Sequence, residues 1–430
     1  MSPPSRHPLR GNTNFRLLFA GSTVSAFGDQ FTLVALPWLV LKLTGNPAAL
    51  GLVLATMAVP RAVFMLIGGA VVDHFSARTV LLVARGANAL MVAVLATLVI
   101  AGAISMPWVY ALALGIGLAT AFAYPAATSL MPSIVPPSQL QQANGTMMGM
   151  RQLSLFVGPA LAGLVIGAGA HASAGADRLA DAQGLGRAFA IDAISFACSL
   201  LSLALIRLPG AARRVGAMPG VFGQVLGGLR SVAADPPLRA FMLYAAVVSI
   251  FVTGPTQVGM PVLADTRLDH GATSLGIVLA ANGGGMLLGG LLSGRVARLV
   301  RGHLGAMILC FDACVGLVLA GLGGVHATWL AATLLALTGL LGGVVQITLV
   351  SWIQRRVAPN MLGRTMSLLM FTFLGLGPLA AAGAGALLKL ISLPTLFVAA
   401  GTALTCIALG CLASPALRDI RSQDASAGTA

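Results

Sequence analysis

Twelve apolar stretches, each long enough to cross a bilayer, run through this chain, and the second six repeat the first six in the same order. A spanning helix needs about 20 apolar residues. The stretches lie near 16–41, 47–72, 79–103, 106–131, 141–170, 187–207, 237–263, 272–294, 303–323, 327–353, 362–389 and 394–414. Landmarks recur between the halves: Gly68-Gly69 with Gly289-Gly290, Phe15-Arg16 with Leu238-Arg239, Leu50-Gly51 with Leu275-Gly276. Trp108 answers Trp329, Val135-Pro136-Pro137 answers Val357-Ala358-Pro359, and Gly158-Pro159 answers Gly377-Pro378. The fold class expected is an all-α membrane protein, with twelve transmembrane helices in two pseudo-symmetric six-helix bundles. A bundle duplicated in the same direction is one known way to move solutes across a membrane.

Composition narrows the alternatives. Hydrophobic residues make up 57% of the chain and charged residues 8%, whereas soluble domains carry roughly 25% charge. The apolar runs are continuous, which excludes spanning β-strands with alternating faces. The net charge of +14 could suggest nucleic acid. Its placement does not: seventeen Lys and Arg residues fall in segments on the side of the N-terminus and five on the other. That is the positive-inside bias, and it predicts both termini in the cytoplasm of a bacterial inner-membrane protein. The basic residues then report topology and contact with membrane lipids, and no nucleic-acid partner is expected. All five cysteines lie in spans, where Cys310 and Cys314 read as small apolar filler; no metal or cofactor is implied.

Five segments are expected: a cytoplasmic tail over 1–15, an N-terminal bundle over 16–207, a cytoplasmic linker over 208–236, a C-terminal bundle over 237–414 and a tail over 415–430. The linker is marked by Pro209, Gly210, Pro219, Gly220, Pro236 and Pro237. Val221 to Ala233 has the mild amphipathy of a surface helix.

Several motifs carry a resemblance. The loop after the second span reads Gly69-Ala-Val-Val-Asp73-His-Phe-Ser-Ala-Arg78, and the fifth span reads Ser154-Leu-Phe-Val-Gly158-Pro159-Ala-Leu-Ala162-Gly163. The first is similar to the signature loop of the major facilitator superfamily, and the second to its antiporter-associated glycine–proline motif. Asn14-Phe15-Arg16-Leu17, Gly28-Asp29, Val135-Pro136-Pro137 and Phe189-Ala-Ile-Asp192-Ala-Ile-Ser195-Phe196 resemble the bacterial efflux clade of macrolide and enterobactin exporters. The signature loop departs from its pattern: His74 replaces a basic residue and Ser76 replaces a glycine. Span four also lacks the arginine of many drug–proton antiporters.

The resemblance implies a cytoplasmic gate at Gly69, Asp73 and Arg78. There Asp73 would cap the start of span eleven, whose first turn adds Arg364. A helix N-terminus attracts negative charge. It also implies that Ser154, Gly158, Pro159 and Gly163 act as the antiporter-like element.

Ionised groups in hydrocarbon are costly, so those kept in spans are candidates for function. Six qualify: Asp29, Arg61, Arg85, Arg151, Asp192 and Asp312. Ser22, Ser25, Asp29 and Thr32 share one face of the first span. Asp29 lies about 20 Å along its helix from the cytoplasmic end, and Arg61 roughly 17 Å along the antiparallel second span. The two are expected to form a buried pair near Arg151, serving either proton coupling or packing alone. Arg85 is expected to snorkel toward the cytoplasm and be structural. Asp192 and Asp312 are also expected to be structural, Asp192 pairing locally with Arg187. Ser25, Thr32, Thr120, Tyr124, Asn282 and Gln346 are expected to line a substrate cavity among many Met and Phe side chains. The repeat aligns Asp29 with Val252–Thr253 and Arg151 with Phe373, so these charges have no counterparts in the second half.

No phosphate-binding glycine loop with Lys-Ser/Thr is present, and no nucleophile–base set, so neither ATP hydrolysis nor an enzyme is expected. The expected function is a secondary active transporter, a monomer exporting a small amphiphilic compound by alternating access in exchange for protons. The alternatives are an importer or uniporter of an apolar metabolite, and a transporter-like sensor that binds without moving its ligand.

Overall fold

The structure is a computed structural model and describes residues 9–170, 182–207, 233–300, 303–357, 361, 365–366, 368–369 and 372–418. The described residues are overwhelmingly helical. Six helices come first: α1 Thr13–Thr44, α2 Pro47–Phe75, α3 Ala77–Ile100, α4 Met106–Ile134, α5 Leu140–Ala170 and α6 Ala182–Ala204. The seventh span is α7 Pro236–Val248, a π-helical turn Ser249–Thr253, and α8 Gly254–Thr266. Then follow α9 Gly271–Leu299, α10 Leu304–Leu322, α11 Thr328–Arg356, a second π turn Thr372–Leu376 leading into α12 Gly377–Leu387, and α13 Leu393–Leu412.

Eleven described helices are long and apolar enough to span a membrane. The twelfth expected span, near 362–389, contains α12, and part of its first half lies outside the described residues. Most of the expected linker, including Val221 to Arg230, also lies outside them. Large apolar side chains such as Val83, Leu90, Leu201 and Leu291 are exposed, as suits helices whose solvent is lipid.

The chain divides into two compact units, Met1–Leu36 with Val59–Met218, and Pro37–Ala58 with Pro219–Ala430. The first is built on α3 packed against α4 and α6, with α5 against α6. Phe15, Leu81, Leu130, Ile134 and Leu203 form part of its core. Helix α1 joins this unit along α6. Gly21 sits against Ser202, whose hydroxyl donates to the Leu17 carbonyl. Helix α3 begins at Ser76, whose side chain accepts from Thr79 N at 3.3 Å. Ser76 has φ +74°, a region that favours glycine.

In the second unit α9 and α11 meet backbone to backbone. Gly285 and Gly289 on α9 face Ala336 and Leu340, while Gly339 and Gly343 on α11 face Asn282 and Met286. A Cβ at any of the four would overlap a main-chain carbonyl oxygen. Spacing of four puts each pair on one helical face, and without a hydrophobic drive between helices in lipid, such close approach supplies the van der Waals attraction. The core includes Phe241, Tyr244, Ile308, Trp352 and Ile353. Asp235 caps α7 by accepting from Leu238 N at 3.4 Å, ahead of Pro236 and Pro237. Its carboxylate also takes Arg356 Nε at 2.7 Å and Nη2 at 2.9 Å.

The last turns of α1 belong to this second unit. Lys42 Nζ lies 2.8 Å from Asp265 Oδ1 on α8 and 4.8 Å from the centre of the Trp38 ring. Trp38 packs on Gly271, which opens α9 at φ +48°.

Candidate functional site

Thr32, on the polar stripe of α1, donates to Asp192 Oδ2 on α6 at 2.5 Å. Ser195, one turn along α6, lies 3.2 Å from Asp192 Oδ1 and donates to the Asp192 carbonyl at 2.7 Å. The two helices come this close because Gly28 has no side chain. A Cβ there would overlap Ser195 Oγ and lie 2.6 Å from Asp192 Oδ1. Asp192 is completely buried. The Gly28-Asp29 and Asp192…Ser195 segments, separate in sequence, are thus two sides of one seam.

The structure corrects the local role expected for Asp192. Among the described residues it makes no ion pair with Arg187; its carboxyl group turns toward α1 instead. Five residues along a helix correspond to a rotation of about 140°, so Arg187 and Asp192 do not share a face.

Asp29, beside this seam, has an exposed side chain despite its position deep in an apolar helix. The charges that reach it are those of Arg85 on α3 and Arg151 on α5. Arg85 Nη2 donates to Ser22 of the same α1 stripe at 3.5 Å, while Nη1 is buried without a partner. The Arg85 head group is thus turned onto α1. The expected Asp29–Arg61 pair is not formed. The two ion pairs among the described residues are Lys42–Asp265 and Arg356–Asp235. The charge that reaches Arg61 is that of Arg151, a second cation, and Arg61 Nε is buried without a partner. Matched depth along two helices fixes the level of two side chains but not the direction in which they point.

On α5, Ser154 is buried and donates to the Arg151 carbonyl at 2.8 Å. Gly158 lies against the Gln30 side chain of α1, where a Cβ would overlap it. Pro159 and Gly163 are buried in the same helix. Gln30 Oε1 and Asn88 Oδ1, inside the same unit, have no hydrogen-bond partner. Nothing in the sequence marks either residue, since a neutral amide in a span lacks the charge that makes an ionised group stand out.

At the expected gate, Arg78 Nη2 donates to the Ala204 carbonyl at the end of α6, at 2.8 Å. Gly69 and Asp73 lie on α2, but their side-chain environments, like Arg364, lie outside the described residues.

The residues expected to line a cavity are not uniformly free to do so. Ser25 is buried, Thr32 is held by Asp192, and Thr120 donates to the Ile116 carbonyl of its own helix at 2.7 Å. Asn282 Nδ2 donates to the Leu335 carbonyl at 3.1 Å, which makes it part of the α9–α11 contact. Tyr124 and Gln346 are exposed.

In the second unit, Asp312 accepts from Tyr244 Oη at 2.9 Å, both side chains being buried. The positions aligned with Asp29 and Arg151 fall in the two π turns, Ser249–Thr253 and Thr372–Leu376, joined by Ser249 Oγ donating to the Thr372 carbonyl at 3.4 Å. Where the first half carries charges, the second carries widened helical turns, a distortion frequent at functional sites.

Comparison with known proteins agrees with this architecture. The family model of the Major Facilitator Superfamily matches residues 18–382. The multidrug efflux pump Tap of Mycobacterium tuberculosis (strain ATCC 25618 / H37Rv) is 28% identical over 427 residues, covering 94% of each chain. Macrolide efflux protein A of Streptococcus pyogenes is 24% identical over 414 residues, covering 95% of this chain and 97% of that protein. Among solved structures, a mutant of the nucleoside transporter NupG has a TM-score of 0.73 at 12% identity, covering 93% of this chain and 99% of that one. A bacterial homologue of the human lysosomal transporter Spinster, in an inward-facing and occupied conformation, has a TM-score of 0.68 at 14% identity, covering 99% and 100%. These structures share the fold, and the curated relatives match the efflux clade that the motifs resemble. The chain is a multi-pass membrane protein and belongs to the Major Facilitator Superfamily.

Proposed function

We propose that this chain exports a small amphiphilic compound across the bacterial inner membrane by alternating access, in exchange for inward-moving protons, as a monomer with both termini in the cytoplasm. The efflux pumps among its relatives support export, and the one-sided arginine distribution supports the orientation. The observation that carries proton exchange is the setting of Asp29. It is an exposed carboxylate deep in an apolar span, within reach of the Arg85 and Arg151 charges and held in no ion pair among the described residues. Such a group can take up and release a proton without first breaking a bridge. Arg85 and Arg151 would then answer its change of charge and bias the facing of the transporter.

The test uses purified protein in proteoliposomes with an acidic lumen and ethidium as probe. Ethidium should accumulate in the lumen, and Asp29→Asn should bind ethidium but lose the accumulation driven by the proton gradient. Accumulation by Asp29→Asn equal to that of the unaltered protein would overturn the role of Asp29. Binding with no flux in the unaltered protein would favour a sensor.

A further inference from the structure

We propose that Asp192 is a second proton-binding site, formed with Thr32, Ser195 and Gly28 at the α1–α6 seam, and that it exchanges its proton during the transport cycle. The use of that proton rests on the exchange reading above; its location does not.

Ser195 Oγ lies 2.7 Å from the Asp192 carbonyl oxygen and 3.2 Å from Asp192 Oδ1. A hydroxyl has one hydrogen, and the shorter contact takes it. Oδ1 is then left with at most a weak share of that hydrogen, and is fully matched when the carboxyl group carries a hydrogen of its own. With that hydrogen on Oδ1, Asp192 donates to Ser195 Oγ. Thr32 Oγ1 meanwhile donates to Oδ2 at 2.5 Å. Each carboxyl oxygen is then matched.

Burial points the same way. Asp192 has no accessible surface and no ion-pair partner among the described residues. An ionised carboxylate in that setting carries a large desolvation cost, which neutralisation removes. The charged groups on the elements packed around it are Arg16, Asp29 and Lys42 on α1, Arg85 and Arg78 on α3, Arg151 on α5 and Arg187 on α6 itself; Arg16 is exposed and Lys42 is paired with Asp265. Arg78 is turned to the Ala204 carbonyl, Arg85 to Ser22, and Arg187 is exposed. Asp29 is the charge that reaches Asp192, and it has the same sign as an ionised Asp192. Two carboxyl groups so placed exchange influence: a proton leaving one makes it easier for the other to keep its own. Thr32, Ser195 and Gly28 act as positioning residues, the first two by orienting the carboxyl oxygens and the third by leaving room for them.

Infrared difference spectroscopy of the full chain in lipid reads this without a substrate. At neutral pH the carbonyl stretch of a protonated carboxylic acid should be present, be lost in Asp192→Asn and be retained in Asp29→Asn. Thr32→Val keeps every charge and removes one donor, so it should move the frequency of that band. Coincident spectra for the unaltered protein and Asp192→Asn, or an unmoved band in Thr32→Val, would overturn the site. For its use, Asp192→Asn should slow gradient-driven ethidium accumulation at least fivefold with ethidium binding unchanged; undiminished accumulation would overturn that part. Loss of accumulation in Asp29→Asn with the Asp192 band intact separates the role of Asp29 from this one.

Discussion

Thr32 Oγ1 and Asp192 Oδ2 stand 2.5 Å apart, so one hydrogen bond joins the first and sixth helices of a compact unit across 160 residues of chain. Gly28 makes that approach possible. Gly28→Ala should therefore lower stability by about 1–3 kcal/mol, the usual cost of overpacking, seen as a lower melting temperature in detergent. Gly86→Ala is the control. Its new methyl group meets only Leu200, at 3.9 Å, and gains up to about 1 kcal/mol of helix propensity.

Arg85 faces α1 and Arg61 does not take part in the Asp29 setting. Arg85→Met should reduce gradient-driven ethidium accumulation about tenfold, whereas Arg61→Met should change it less than the Arg85 substitution does. Adding Asp29→Asn to Arg85→Met should recover part of the thermal stability lost in Arg85→Met alone, because Asp29 then has one cation within reach, Arg151, instead of two. Equal melting temperatures for the single and double variants would count against this assignment.

Ser76 adopts φ +74° where the superfamily loop commonly has glycine. Such backbone costs about 1–3 kcal/mol in a non-glycine residue. The Ser76 cap on Thr79 N returns little of it, since glycine at an N-cap costs only a few tenths of a kcal/mol. Ser76→Gly should raise the melting temperature.

Tyr244 is the hydrogen-bond donor to Asp312 in the second unit. Tyr244→Phe keeps the ring and leaves that carboxyl group short of a partner, so it should cost about 1–3 kcal/mol. Asp312→Asn combined with Tyr244→Phe should recover part of the loss in the same melting assay.

Lys42 and Asp265 form a half-exposed pair. A double-mutant cycle with Lys42→Ala and Asp265→Ala should give a coupling of about 0.2–1 kcal/mol that shrinks with salt. Trp38→Ala should cost more than either, about 3 kcal/mol or more, because the ring is buried and packs on Gly271.

The helices were readable because length and apolarity decide what can cross a bilayer, and eleven of twelve appear among the described residues at full length. The partners of buried groups were not. Depth along an axis suggested Asp29 with Arg61, but rotation about the axis is set by packing, and packing brought Arg85 to that face. Asp192 is close in sequence to Arg187, while its neighbour in the fold, Thr32, is 160 residues away. Lys42 and Asp265 are separated by 223 residues, and neither announces the other. Both halves of the α1–α6 seam were visible as motifs; what sequence could not show was that they touch.

The glycine contact between α9 and α11 carries a consequence for how this protein can change over generations. Gly285, Gly289, Gly339 and Gly343 already present the smallest residue there is, so every replacement adds atoms where a main-chain carbonyl stands. No gradual path improves such a surface, and no conservative exchange leaves it untouched. Selection can only hold it constant. Exposed residues such as Tyr124 and Gln346 are under no such restriction, so change can accumulate there while this pair of helices stays as it is.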